Sequence, residues 1–422
     1  MDWFYAFSEQ TRTILVFLAG LVIATQVNRG IYRLAWNPRA IGPWSAPAPG
    51  APPRRWFDRL PFLGWVFLQR EQKLHGTAFW VRPALIEVGL AAGLAALYLF
   101  EMRGGLDPPN VRQLPLDELH QLHQRFMAHA VLICLMTVAT FIDLDEQTIP
   151  DAITVPGALV GLIFAALWPA IRLPVEAEAS PGVFIADLLQ LASPSPWLPP
   201  WNGIFGLVVG CGLFLAWCWA LVPTTITLRR GWRNAVRFYI ASFFRDAYWK
   251  WMAATAVFGC GGIAWIWSLG GERWESLLSQ LTGLFFGGAL VWSVRITAGI
   301  ALRKEAMGFG DVTLMAMIGA FVGWQPPLLI FFLSPFAALF VSLTQWVLTR
   351  RRDIAFGPYL CLATVFLLVA WPTIWQRVEG VFWMGWLVPA MFLACLCAMM
   401  GLLMLIRIAE EVFSGGGNSE ER

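Results

Sequence analysis

Two acidic clusters stand where an apolar run meets a charged loop. The first reads Phe141-Ile142-Asp143-Leu144-Asp145-Glu146-Gln147-Thr148-Ile149-Pro150-Asp151, and the second, far downstream, reads Gly308-Phe309-Gly310-Asp311. A carboxylate is costly at membrane depth, so acids held at two such boundaries are candidates for chemistry. If the clusters meet, they supply the minimal machinery for hydrolysing a peptide bond. One carboxylate deprotonates a water while its protonated partner polarises the carbonyl. The glycines of G-x-G-D let backbone approach closely and leave the loop free to aim the acid. The bland alternative is a pair of ordinary loop acids at helix ends.

The elements that must hold these acids are membrane helices. Hydrophobic residues make up 58% of the 422-residue chain, charged residues 14%, and the mean hydropathy is +0.61. A soluble domain is about 45–50% apolar and about 25% charged. The composition therefore predicts an all-α polytopic membrane protein. Eleven apolar runs are candidate spans, the eighth of them short: 13–28, 83–101, 126–142, 153–173, 203–222, 253–270, 280–299, 312–324, 327–348, 357–373 and 381–407. The first run follows Asp2, Glu9 and Arg12 with no basic leader or small-residue cleavage site, so it reads as an uncleaved span. Small residues behind the second cluster, Ala316, Gly319, Ala320 and Gly323, should let neighbouring helices come close.

Arginine and lysine alternate between loops. They crowd 29–82 and 223–252, precede the second cluster at Arg303 and Lys304, and follow the ninth run at Arg350 to Arg352. The positive-inside rule puts these segments in the cytoplasm, the N-terminus outside and the C-terminus inside. Asp143 and Asp311 then fall on one membrane face, as a pair requires. The divisions are 1–28, a first span; 29–82, a cytoplasmic loop domain; 83–177, membrane core with the first acidic motif; 178–280, an insertion with an extra pair of spans; 281–408, membrane core with G-x-G-D; and 409–422, a tail. The aromatic and basic stretch from Phe238 to Trp251 reads either as a helix in the headgroup layer or as a loop leading into the sixth span.

Other side chains offer less. The seven cysteines all lie in apolar runs and none forms a CxxC pair, so they read as buried and reduced. His120, His123 and His129 match no metal motif, and no metal is expected. A net charge of +3 gives no reason to expect nucleic acid as a partner.

The first motif condenses to D-x-D-x-x-x-I-P-D. Together with G-x-G-D it resembles the prepilin peptidases, membrane aspartic proteases of type IV pilus and type II secretion systems. Four other stretches are similar to family motifs: Asn28-Arg29-Gly30-Ile31-Tyr32-Arg33-Leu34, Trp56 to Pro61, Arg82-Pro83 with Glu87, and Phe356-Gly357-Pro358-Tyr359-Leu360. The likeness covers about residues 13–160 and 300–375. It departs in having no cysteine in 29–82, where the family carries two CxxC pairs, and in the inserted region.

The resemblance implies an inner-membrane endopeptidase. Its substrates would be pilin-like precursors, cut between a short basic leader and a hydrophobic helix. It implies Asp143 and Asp311 as catalytic residues, supported by Gly308, Gly310, Asp145, Pro150 and Asp151. Asp145 stays open as the first acid, and Asp151 could cap the fourth span. Proteolysis would need no cofactor. Many relatives also methylate the new N-terminus with S-adenosylmethionine, which would then be a cofactor here. The competing readings are a proton-coupled transporter using the same acids and an inactive scaffold. Without cysteines, the 29–82 loop needs another hold: Trp56, Phe57, Leu60, Phe62, Leu63, Trp65, Val66, Phe67, Phe79 and Trp80 offer a compact apolar cluster, or simply rest on the membrane surface.

Overall fold

The structure, a computed structural model, describes residues 2–39, 41–109, 119–180, 183–222, 248–303, 307–349 and 355–415. Among these, eleven helices of 14 residues or more occupy the positions of the eleven apolar runs. They are α1 Glu9–Leu34, α2 Val81–Met102, α3 Leu119–Glu146, α4 Asp151–Leu167, α5 Ile204–Ala220, α6 Tyr248–Leu269, α7 Gly271–Leu302, α8 Phe309–Val322, α9 Gln325–Thr349, α10 Gly357–Phe382 and α11 Leu387–Gly415. Seven are long and apolar enough to cross a membrane: α1, α2, α3, α6, α7, α10 and α11. Helices α4, α5 and α8 and the described part of α9 are apolar but shorter. The chain is a multi-pass, mainly helical membrane protein.

Helix α8 is the centre of the bundle. From Asp311 to Val322 every residue is buried. It is apolar on all sides, as a helix enclosed by other helices must be. Its small residues make the enclosure possible. A Cβ added at Gly319 would stand 2.0 Å from the Gly283 carbonyl oxygen of α7, and one added at Gly283 would stand 2.2 Å from that of Gly319. The backbones of α7 and α8 thus touch, which only glycine permits. Ala316 meets Gly288 in the same seam, and Gly161 of α4 packs on the Ala320 carbonyl. The sequence expectation for these residues is met. At the end of α8, Gly323 takes the left-handed conformation, φ +86°, and stops the helix.

Among the described residues, strand structure occurs at one place. After α4 ends at Leu167, six residues short of the predicted limit, Pro169 opens a short 3-10 turn. An antiparallel hairpin follows, β1 Pro174–Ser180 with β2 Val183–Leu188, pairing Pro174 with Leu188 and Ala177 with Ile185. Alternating Val175-Glu176-Ala177-Glu178 is a strand pattern. It lies inside the division read as 83–177 membrane core and 178–280 insertion. The indole of Trp371 in α10 donates to the Pro174 carbonyl at 2.7 Å and pins the hairpin to the bundle. Most of the basic stretch 223–252, the aromatic segment before Tyr248, Lys304, Arg350 to Arg352 and the tail from 416 lie outside the described residues.

The 29–82 loop is held only in part by the apolar cluster. Trp65 is buried with Leu68 and Ala84, but Trp56 is 77% exposed and Leu60, Phe62, Leu63 and Phe67 are also exposed. Polar contacts do the work. Arg70 pairs with Asp58 at 2.5 Å, and Arg54 pairs with Glu71. Both carboxylates are fully buried. Burial alone would raise the Asp58 carboxyl, but hydrogen bonds from the Arg70 guanidinium and the Arg55 N–H outweigh it and hold the group below its ordinary value.

Candidate active site

Helix α3 delivers the first acids and then stops. Gln147 adopts φ +54°, a left-handed conformation unusual for a residue with a Cβ, while its N–H still donates to the Asp143 carbonyl at 2.9 Å. Pro150, extended at φ −70° and ψ 133°, is the N-cap of α4. The residues between form a tight link that holds Ile149 buried against the next elements. Asp151 is therefore the first residue of α4 and not its cap.

Helix α8 delivers the second acid. Gly308 is its N-cap and Asp311 stands in the first turn, where a negative charge is favoured by the helix dipole. Two neighbours fix this turn. Arg295 of α7 donates through Nε to the Met307 carbonyl at 3.0 Å and lies over the Phe309 ring. Thr313 donates to the Gly310 carbonyl, and Thr154 of α4 donates to Thr313 at 3.0 Å.

These pieces enclose a cavity of about 420 Å³, lined by Asp143, Asp151, Gly308, Gly310, Asp311 and Phe356 among others. Asp143 and Asp311 are 5% and 7% exposed, so they are shielded from bulk water but open to this space. Ile149 is the hinge of the arrangement. A Cβ at Gly310 would stand 2.8 Å from the Ile149 Cβ, and a Cβ at Gly357 would stand 2.8 Å from its Cδ1. The isoleucine of I-P-D thus fits between two glycines, one from G-x-G-D and one from F-G-P. Its spacing brings three distant motifs to one place.

Asp145 is elsewhere. It pairs with Arg82 at 2.7 Å, and Arg82 also donates to the Phe141 carbonyl and lies over the Phe141 ring. The structure brings Asp143, Asp151 and Asp311 together and leaves Asp145 on the outer side of α3.

Two features were not read from the sequence. The Gly357 N–H donates to Asp143 Oδ2 at 3.1 Å. Glycine before proline at a helix start was the available signal, since it leaves a free N–H beside a position with no side chain. At the opposite end of the bundle, His129 and Glu101 form a buried pair at 2.8 Å. Among the described residues, no group of three His, Cys, Asp or Glu side chains is arranged to hold a metal ion.

One further node organises the 29–82 loop against the bundle. Glu87 of α2 accepts from Asn28 Nδ2 at 3.0 Å, from the Trp65 indole at 2.9 Å and from the Phe62 N–H at 2.5 Å. Glu146, at the end of α3, accepts from the N–H groups of Trp36 and Asn37. The loop and the acid-bearing helix are therefore one assembly.

The model of the type IV leader peptidase family matches residues 234–343, a stretch that includes Asp311 but not Asp143. The chain is similar to a prepilin leader peptidase/N-methyltransferase of Aeromonas hydrophila, 34% identical over 91 residues, 21% of this chain and 31% of that protein. It is similar to the Pseudomonas aeruginosa protein of the same name, 37% identical over 91 residues, again 21% of this chain and 31% of the relative. A type 4 prepilin-like proteins leader peptide-processing enzyme of Escherichia coli is 41% identical over 100 residues, 22% of this chain and 35% of that enzyme. The chain thus spans about a third of the length of the curated relatives it matches. No solved structure matches it.

Proposed function

We propose that the protein is a membrane aspartic endopeptidase that removes the leader of pilin-like precursors at the cytoplasmic face of the inner membrane. Asp143 and Asp311 are the catalytic pair. One takes a proton from a water held between them while the other, protonated, hydrogen-bonds the scissile carbonyl oxygen. The proton then passes to the leaving amine. Gly308 and Gly310 shape the loop that aims Asp311, and Pro150 and Ile149 fix the link after Asp143. Asp151 is a wall of the site. The observation that carries this reading is the single cavity shared by Asp143 and Asp311, two acids 168 residues apart in the chain. Asp145, engaged by Arg82, is not a candidate for the dyad on this account. A transporter reading has no comparable support, since α8 contributes only its cap and first turn, Gly308 to Asp311, to the cavity lining.

Methylation of the product would need a site for S-adenosylmethionine. The cavity beside the loop carries Arg29, Arg33 and Arg39 around it. That donor carries two cationic groups and one carboxylate, against three arginines and the one acid Glu87 in this lining, so these residues do not fit it and no methyl transfer is proposed.

The test is direct. The purified full chain in liposomes is mixed with a pseudopilin precursor and the products are weighed. A single cut at the leader junction supports the reading. An intact precursor under conditions where a known leader peptidase cuts it would contradict the reading.

A further inference from the structure

Three arginines, Arg29, Arg33 and Arg39, converge on a space whose lining holds one carboxylate, that of Glu87. Arg29 and Arg33 lie four residues apart, on one face of the last turns of α1. Arg39 is folded back toward them by its N–H bond to the Tyr32 carbonyl at 3.0 Å. All three line a cavity of about 320 Å³ whose wall includes Tyr32, Trp44 and Trp65.

The contrast with the neighbouring cations is what carries the inference. Arg54 is paired with Glu71, Arg70 with Asp58 and Arg82 with Asp145. Arg55 lies over Phe57 and Arg59 over Trp44. Among the described residues, no carboxylate stands within ion-pair distance of Arg29, Arg33 or Arg39. Glu87, the acid in the cavity wall, is already bonded by Asn28, Phe62 and Trp65. Three like charges facing one small space repel one another well inside the roughly 10 Å screening length, and an anion there relieves all three. Arginine forks match phosphate oxygens in pairs.

Position points to the source of the anion. The cavity sits at the end of the membrane-crossing helix α1, beside Trp36 and Trp44, which are 85% and 42% exposed. Exposed tryptophans at a span end mark the headgroup layer. We propose that this cavity binds the phosphate of an anionic phospholipid and ties the loop, through the Glu87 node, to the membrane surface. The inference is independent of the peptidase reading.

The test uses the delipidated full chain in detergent and native mass spectrometry. Phosphatidylglycerol should bind about ten-fold or more tightly than phosphatidylcholine. The triple variant Arg29→Gln, Arg33→Gln, Arg39→Gln should lose that preference, and the triple Arg→Lys variant should keep part of it. Arg103→Gln, at the opposite end of the bundle, should change nothing. All of these side chains are exposed, and elution as a single species checks folding. Failure of glycerol 3-phosphate to compete supports a lipid as the source. Competition at equal concentration keeps the phosphate site but overturns the lipid assignment. Equal binding by wild type and the Gln triple, or equal binding of both lipids, overturns the proposal.

Discussion

The Gly357 N–H donates to Asp143 Oδ2 at 3.1 Å across 214 residues of chain. The first turn of α10 therefore holds one oxygen of the acid. A Cβ at Gly357 would stand 2.6 Å from that same Oδ2 and would displace it. Gly357→Ala should lower turnover by about 100-fold, the scale expected when a reacting group is misplaced by about an ångström. KM should change little. Gly380→Ala on the same helix meets nothing within 4 Å and should leave turnover unchanged. Steady-state kinetics on a precursor checks both.

Asp145→Asn removes the ion pair with Arg82. That pair is partly exposed, so the loss is about 1 kcal/mol or less. Turnover should stay within about five-fold of wild type, and thermal stability should barely move. Loss of turnover comparable to that of Asp143→Asn would move the first catalytic acid to Asp145.

The loop anchor at Asp58 should be acid-sensitive. Its carboxyl is held below the ordinary 3.8 in the folded protein, so the stabilisation is fully present above about pH 4 and is lost as pH falls through the depressed folded value. Arg70→Ala leaves Asp58 buried and unpaired and should cost about 3–5 kcal/mol at neutral pH. Limited proteolysis across residues 54–75, run from neutral pH downward, reads both effects. Protection in Arg70→Ala equal to wild type would show that the pair does not hold the loop.

The α7–α8 seam tolerates no side chain. Gly319→Val forces a Cβ into the Gly283 carbonyl and should destabilise by more than the about 1–3 kcal/mol usual for overpacking, because the obstacle is backbone. The expected result is little accumulation of the variant in membranes and a lower Tm in detergent. Gly212→Val, where a Cβ meets open space, is the control.

Among the described residues, helices occupy the apolar runs read from hydropathy, and seven of them are long and apolar enough to cross a membrane. Asp143 and Asp311 were legible from their motifs. The separation of Asp143 from Asp145 was not, because it depends on Arg82 reaching α3 from α2. The hairpin at 174–188 carries a strand pattern in Val175-Glu176-Ala177-Glu178, but the predicted span before it ran six residues past the end of α4. In the loop, Trp65 is buried while Trp56, Leu60, Phe62, Leu63 and Phe67 stay exposed, and Asp58 and Glu71, ordinary loop acids in sequence, are its buried anchors. Gly357 stood in a motif without a role, since a backbone N–H carries no sequence mark of its own.

A pair of carboxylates that share one proton should give a bell-shaped pH–rate profile, falling when both are protonated and when both are ionised. The most direct measurement of the central claim is precursor cleavage by wild type, Asp143→Asn and Asp311→Asn in the same liposomes. Asn keeps the shape but cannot exchange the proton. The account predicts that each single variant inserts normally and loses cleavage, with the double variant no worse than either single one. Turnover near the wild-type rate in either Asp143→Asn or Asp311→Asn would contradict it.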